Sequence, residues 1–155
     1  MDKDKLIRDY LDVVAQLKDS VAGLTDAQRR SRPVPGKWSV HEVVCHIADF
    51  EPISTDRITR IVALDHPSLL GADESEFAKS LAYDARDFDE QMRLIEVLRS
   101  HTARILRTLP DSAFQRVGVH NEAGPMTLEQ MIVRVTKHLP HHIAFIKEKR
   151  KAMGA

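Results

Sequence analysis

Two of the eight histidines in this 155-residue chain, His138 and His142, stand four positions apart. In a helix that spacing turns the second ring by about 40° and raises it by about 6 Å, so both imidazoles leave one face and can grip one metal ion. Met131, Val135, His138, His142 and Ile146 step by three or four residues, which sets the pair on an apolar seam. His141 aligns instead with Arg134, Lys137 and Glu148 on the solvated side. Pro140, in the same turn, removes a backbone hydrogen bond, opens a carbonyl near His138 and re-aims the side chains toward a site. A third ligand must come from another helix. His46, with Val43, Phe50 and Ile53 at steps of three and four, is the strongest candidate. His41 with Cys45, also at i and i+4, is the rival pair, placed in a first turn where solvent is near. Three imidazoles without a fourth protein ligand leave an open coordination position, the pattern of a catalytic metal site.

Other residues could serve such a site. Asp49, one turn beyond His46, is placed to orient an imidazole or take a proton, and its plainer reading is a solvated or capping carboxylate. Arg99 follows Ile95 by four and lies near a helix seam, where it could hold an anionic substrate group or be a surface arginine with a buried stem. His120 and Glu122 fall in a loop, where a gating role competes with simple exposure. Cys45 points about 100° away from His46, which suits a small packing residue. His66 and His101 acquire no role.

Four helices must position these groups. Ile7, Tyr10, Leu11, Val14, Leu17 and Val21 mark a first helix over roughly Lys3 to Ala22. Thr25–Gln28 has capping-box spacing for a short turn before the Pro33–Gly36 break. Ser39 and Glu42 form the capping box of a second helix that runs to Asp65, with a kink expected at Pro52 and a Trp38–Val43 staple at its start. A polar crossing from Pro67 to Ala82 is long enough to span a bundle, so helices two and three can lie parallel. Helix three is written by Leu81, Ala85, Phe88, Met92, Ile95, Leu98, Thr102, Ile105 and Leu109, before Pro110. Residues 117–125 read as a loop or short hairpin. Thr127 then opens helix four, which ends in the basic run Lys147–Lys151. The expectation is a single all-α domain over 1–155, a four-helix bundle with a long crossover between helices two and three.

The segment Trp38-Ser39…Glu42…His46…Asp49…Glu51 resembles the W-S-x-x-E-x-x-x-H-x-x-D-x-E signature of the DinB/YfiT-like superfamily, and His138-Leu139-Pro140-His141-His142 resembles that family's closing H-x-x-x-H element. The resemblance runs from about Lys5 to Met153. It implies a four-helix bundle holding a divalent metal, zinc or nickel, on His46, His138 and His142. It also implies a metal-dependent hydrolase, or a thiol S-transferase or isomerase that uses a low-molecular-weight thiol as cosubstrate, and a homodimer.

Composition bounds the rest. Lysine plus arginine and aspartate plus glutamate number 23 each, for a formal net charge of zero, which argues against a dedicated nucleic-acid binder or a polybasic membrane binder. No apolar leader follows Met1 and no long apolar run occurs, so no membrane role is expected. One cysteine suits a reducing, cytoplasmic setting. The first function expected is a metalloenzyme acting on a small-molecule substrate. The second is a non-catalytic dimerisation or stress-response bundle whose metal is structural or absent.

Overall fold

Helix boundaries are set by side-chain caps. The computed structural model, which describes residues 1–155, contains α1 (Lys3–Val21), α2 (Asp26–Arg30), α3 (Val40–Ala63), β1 (Ser68–Leu69), α4 (Glu74–Ser80), α5 (Phe88–Thr108), β2 (Val117–His120), β3 (Gly124–Thr127) and α6 (Leu128–Met153). Ser39, Thr25 and Thr127 each accept a backbone N–H three residues on, and Glu42, Gln28 and Gln130 reach back to the cap's own N–H. Both α3 and α6 run unbroken through Pro52 and Pro140.

The long third helix begins later than its apolar pattern suggests. Leu81 and Ala85 lie outside it, because the Asp87 carboxylate caps the Glu90 N–H and starts α5 there. Upstream, Asp73 caps Ser75 and Glu76 to form α4, and Ala82 turns the chain at φ 50°. The crossing segment therefore carries its own helix. The 117–127 region is a hairpin, and β1 joins it in parallel to make a three-stranded sheet, the one β element in an otherwise helical bundle. Gly118 is required in that sheet, since a Cβ there would stand 2.8 Å from Ile61 and Leu69 side chains.

Cross-helix contacts fix the topology. Glu51 meets Arg99 and Thr55 meets Thr102, so α3 and α5 run parallel. Lys18 meets Glu96 whereas Lys3 reaches the Leu109 carbonyl, so α1 opposes α5. The apolar interior forms two clusters. One gathers Leu17, Val43, Ile47, Ile95, Leu139 and Ile143, the other Tyr10, Ile58, Leu106, Met131, Ile132 and Val135. Between them lies a buried polar layer made by Glu51, Arg99 and Thr102. No helix is long and apolar enough to cross a membrane.

Candidate metal centre

The histidine centre is assembled by the first third of α3 and the middle of α6. Arg32 pairs with Glu42, and Glu42 closes the cap of α3, so the turn that carries His46 is held at its origin. The Nε2 atom of His46 lies 3.2 Å from that of His138 and 3.0 Å from that of His142, and the latter two are 3.0 Å apart. An ion about 2.0–2.1 Å from three nitrogens needs them roughly 3.0 Å apart at right-angled coordination and roughly 3.4 Å apart at tetrahedral angles. The triangle matches that span, and three imidazoles are a borderline donor set for a divalent transition-metal ion.

Electrostatics point the same way. Burial pushes the His46 pKa down to about 4. For His138 and His142, burial together with the neighbouring imidazoles takes the values down to about 3 and about 2. In the Nδ1–H tautomer, three neutral rings aim their Nε2 lone pairs at one point, an arrangement that a shared cation satisfies. The Nδ1 atoms of His46 and His142, on the far side of their rings, are buried without a partner.

Access comes from a cleft of about 780 Å3 whose wall includes Trp38, Phe50 and Phe145. Trp38 and Phe50 lie 5.3 and 4.6 Å from the His46 ring, centroid to centroid, and cover it from solvent. Glu74, at the start of α4, brings Oε2 to 3.8 Å from His46 Nε2 while its side chain stays 60% exposed. It is the carboxylate that faces the triangle.

Several sequence expectations need correcting. Asp49 does not orient a histidine: its Oδ1 accepts a 2.6 Å hydrogen bond from Arg86, and His46 Nδ1 is left alone. Arg99 is neither a surface residue nor open to a substrate anion. It is wholly buried, forks onto Glu51 at 2.7–2.9 Å, and donates further to the Tyr10 and Val135 carbonyls. His41 is buried rather than near solvent, and its Nε2 donates to the Tyr83 carbonyl at 2.8 Å. His120 is also buried, its Nδ1 accepting the Glu122 and Ala123 N–H groups inside the hairpin turn. Cys45 is a fully buried packing residue, with burial pushing its thiol up to about 11. His141 is exposed on the cleft rim, while His66 is exposed beside Asp65.

Glu74, Arg57 and Lys149, which the spacing of the histidines does not single out, also line the cleft. Glu74 lies in the polar crossing segment, where Asp73 before it is the local cap signal. Arg57 lies eleven residues after His46, three helical turns on, and so shares its face.

A family model described as the DinB superfamily matches residues 10–146. The "Putative metal-dependent hydrolase YfiT" of Bacillus subtilis is 31% identical over 153 residues, covering 98% of this chain and 86% of that protein. A "Putative metal-dependent hydrolase" of Geobacillus thermodenitrificans is 29% identical, covering 96% and 86%. The solved structure of YfiT from Bacillus subtilis, described as a probable metal-dependent hydrolase with an unusual four-helix bundle topology, superposes with a TM-score of 0.89 at 31% identity, over 98% of this chain and 87% of that one.

Proposed function

Because the chain belongs to the DinB superfamily, we propose that it is a metal-dependent hydrolase whose ion is held by His46, His138 and His142. The observation that carries this reading is the convergence of three Nε2 atoms within 3.2 Å of one another on a cleft wall. When bound, a zinc or nickel ion supplies Lewis acidity, which makes a deprotonated nucleophile available near neutral pH.

The chain's own residues do the remainder. The three imidazoles stay neutral at pH 7, so they act as ligands without first losing a proton. Glu74 is solvated and within reach of the triangle, which suits a carboxylate that takes a proton at Oε2 and hands it to water. Trp38 and Phe50 exclude solvent from the His46 side and leave the cleft as the route for substrate. The same open position would accept a low-molecular-weight thiol in a transferase, and the two activities separate on whether turnover requires added thiol.

The deciding experiment is elemental analysis of untagged protein purified without chelator or metal resin, beside His46→Ala, His138→Ala, His142→Ala and His141→Ala. About one zinc or nickel per chain is expected in the native protein and in His141→Ala, with loss in the other three. A native protein that holds no metal and takes none up overturns the reading.

A further inference from the structure

From the three histidines the cleft continues to two arginines that no carboxylate neutralises. Arg57 of α3 is only 8% exposed. Its Nε and Nη2 donate to the Leu70 carbonyl, which fixes the guanidinium plane and leaves Nη1 without an acceptor on the protein. Arg134 of α6 is exposed and lines the same cleft. Neither is in an ion pair, whereas Arg60, Arg86 and Arg99 each hold a carboxylate.

A surface arginine facing water needs no explanation, but a buried guanidinium satisfied by one carbonyl retains a charge whose desolvation is not offset. The two cations also burden their surroundings. Burial, followed by the proximity of Arg134, lowers the Arg57 pKa, and both arginines help hold His120 neutral. Asp56 and Glu122 oppose this from nearby, yet Asp56 pairs with Arg60 and Glu122 reaches neither arginine at ion-pair distance.

Position along the helices gives the distance to the histidines. Arg134 precedes His138 by one turn, and Arg57 follows His46 by about three turns on nearly the same face. Because the α3 residues after His46 lie beside the α6 residues before His138, both steps lead the same way along the cleft. Ser54, Met131 and Val135 line the stretch between.

We propose that Arg57 and Arg134 form a subsite for an anionic group of the substrate, a carboxylate or a phosphate monoester, joined by an apolar spacer to the bond that reacts at the three histidines. With helical rises of ~1.5 Å per residue, Arg134 stands about 6 Å from His138 and Arg57 about 16 Å from His46, which puts an anion reached by both on the order of 10 Å from the histidines. Arg57 supplies a fixed, buried partner and Arg134 an exposed one from the facing helix. The location of the reacting bond rests on the metal-dependent reading, while the subsite is built of residues outside the three histidines.

The test is isothermal titration of the full chain, metal-free and metal-loaded, with 5-phenylvalerate, 4-phenylbutyl phosphate and neutral 5-phenylvaleramide. The native protein is expected to bind at least one of the anions about tenfold or more tighter than the amide. The tighter anion identifies the group. Arg134→Gln, which removes no hydrogen bond from the fold, is expected to cut that preference to about threefold or less. Arg57→Gln should do the same wherever circular dichroism shows that it folds, and Arg134→Gln decides where it does not. Absence of anion binding to the native chain, equal affinity for anion and amide, or a preference unchanged in Arg134→Gln overturns the proposal. The titration of metal-free protein keeps the two readings apart: a chain that takes up no metal but prefers the anion loses the hydrolase reading and keeps the subsite.

Discussion

Arg99 and Glu51 form a bidentate ion pair in the centre of the bundle, with both side chains at most 1% exposed. The same guanidinium donates to the Tyr10 carbonyl of α1 and the Val135 carbonyl of α6, and it lies 4.3 Å from the Tyr10 ring. One side chain of α5 therefore touches the other three long helices. Val135 lies three residues before His138, so the pair also sets the level of α6 at which the histidines emerge.

That arrangement predicts unequal costs. Burial holds the Glu51 carboxyl above its usual range and Arg99 offsets this, so removing one partner strands the other in an apolar core. Arg99→Met alone should lose about 3–5 kcal/mol of stability, and Arg99→Met with Glu51→Leu should recover most of it. Urea denaturation of the three proteins checks this. A double variant as unstable as the single would mean that the two carbonyl contacts, rather than the ion pair, hold the helices.

Local signals in the sequence carry much of this arrangement, and what they leave out has one physical cause. Ser39 and Thr127 advertised their capping boxes, and periodicity put His46, His138 and His142 on facing seams because apolar neighbours mark a buried stripe. The stripe says which face is inward and does not say what a charged residue on it meets. Arg99 at Ile95 plus four was on the seam, yet its partner Glu51 lies 48 residues away, and neither position reveals the other. The burial of His41 and His120 is hidden from the sequence for the same reason. Their cover comes from the Tyr83 turn and the hairpin, segments whose path depends on tertiary packing rather than on a local period. The apolar spacing carries helix three back to Leu81 and Ala85, which keep its period by chance, while the Asp87 cap is the local signal that starts it at Phe88.

Metal should stabilise the fold and not only serve chemistry. The three ligands come from helices that hold opposite sides of the cleft, so an ion that binds the folded chain alone shifts unfolding by mass action. At free metal about a thousandfold above Kd the gain is about 4 kcal/mol. Thermal unfolding with zinc, with nickel and after chelator treatment measures it. The rise in Tm is expected to vanish in His142→Ala and persist in His141→Ala, whose ring is exposed.

The metal-free protein should be acid-sensitive in a specific window. His46, His138 and His142 have folded pKa values of about 4, 3 and 2, below the ordinary value of 6.5. The unfolded chain therefore binds more protons between the two ranges, and stability rises with pH there. Stability is full above about pH 7 and falls as the pH drops below about 6.5, by up to about 1.4 kcal/mol per pH unit for each histidine. Urea midpoints between pH 8 and pH 5 test the sign. The slope should flatten in His142→Phe, and a slope unchanged there would show that other groups carry the acid sensitivity.

Glu74 provides the sharpest separation of ligand from proton acceptor. Its Oε2 is 3.8 Å from His46 Nε2, beyond a hydrogen bond, and the side chain is mostly solvated, so it is not needed to hold the triangle together. Glu74→Gln preserves shape and removes only the capacity to take a proton. Metal content should stay at the native stoichiometry, and kcat for an activated ester such as p-nitrophenyl acetate should fall by about 100-fold or more, in the range usual for loss of a general base. Parallel loss of metal and activity would instead make Glu74 a ligand. Native kcat with native metal content would leave proton transfer to solvent, and the carboxylate would then only complement the positive end of α4.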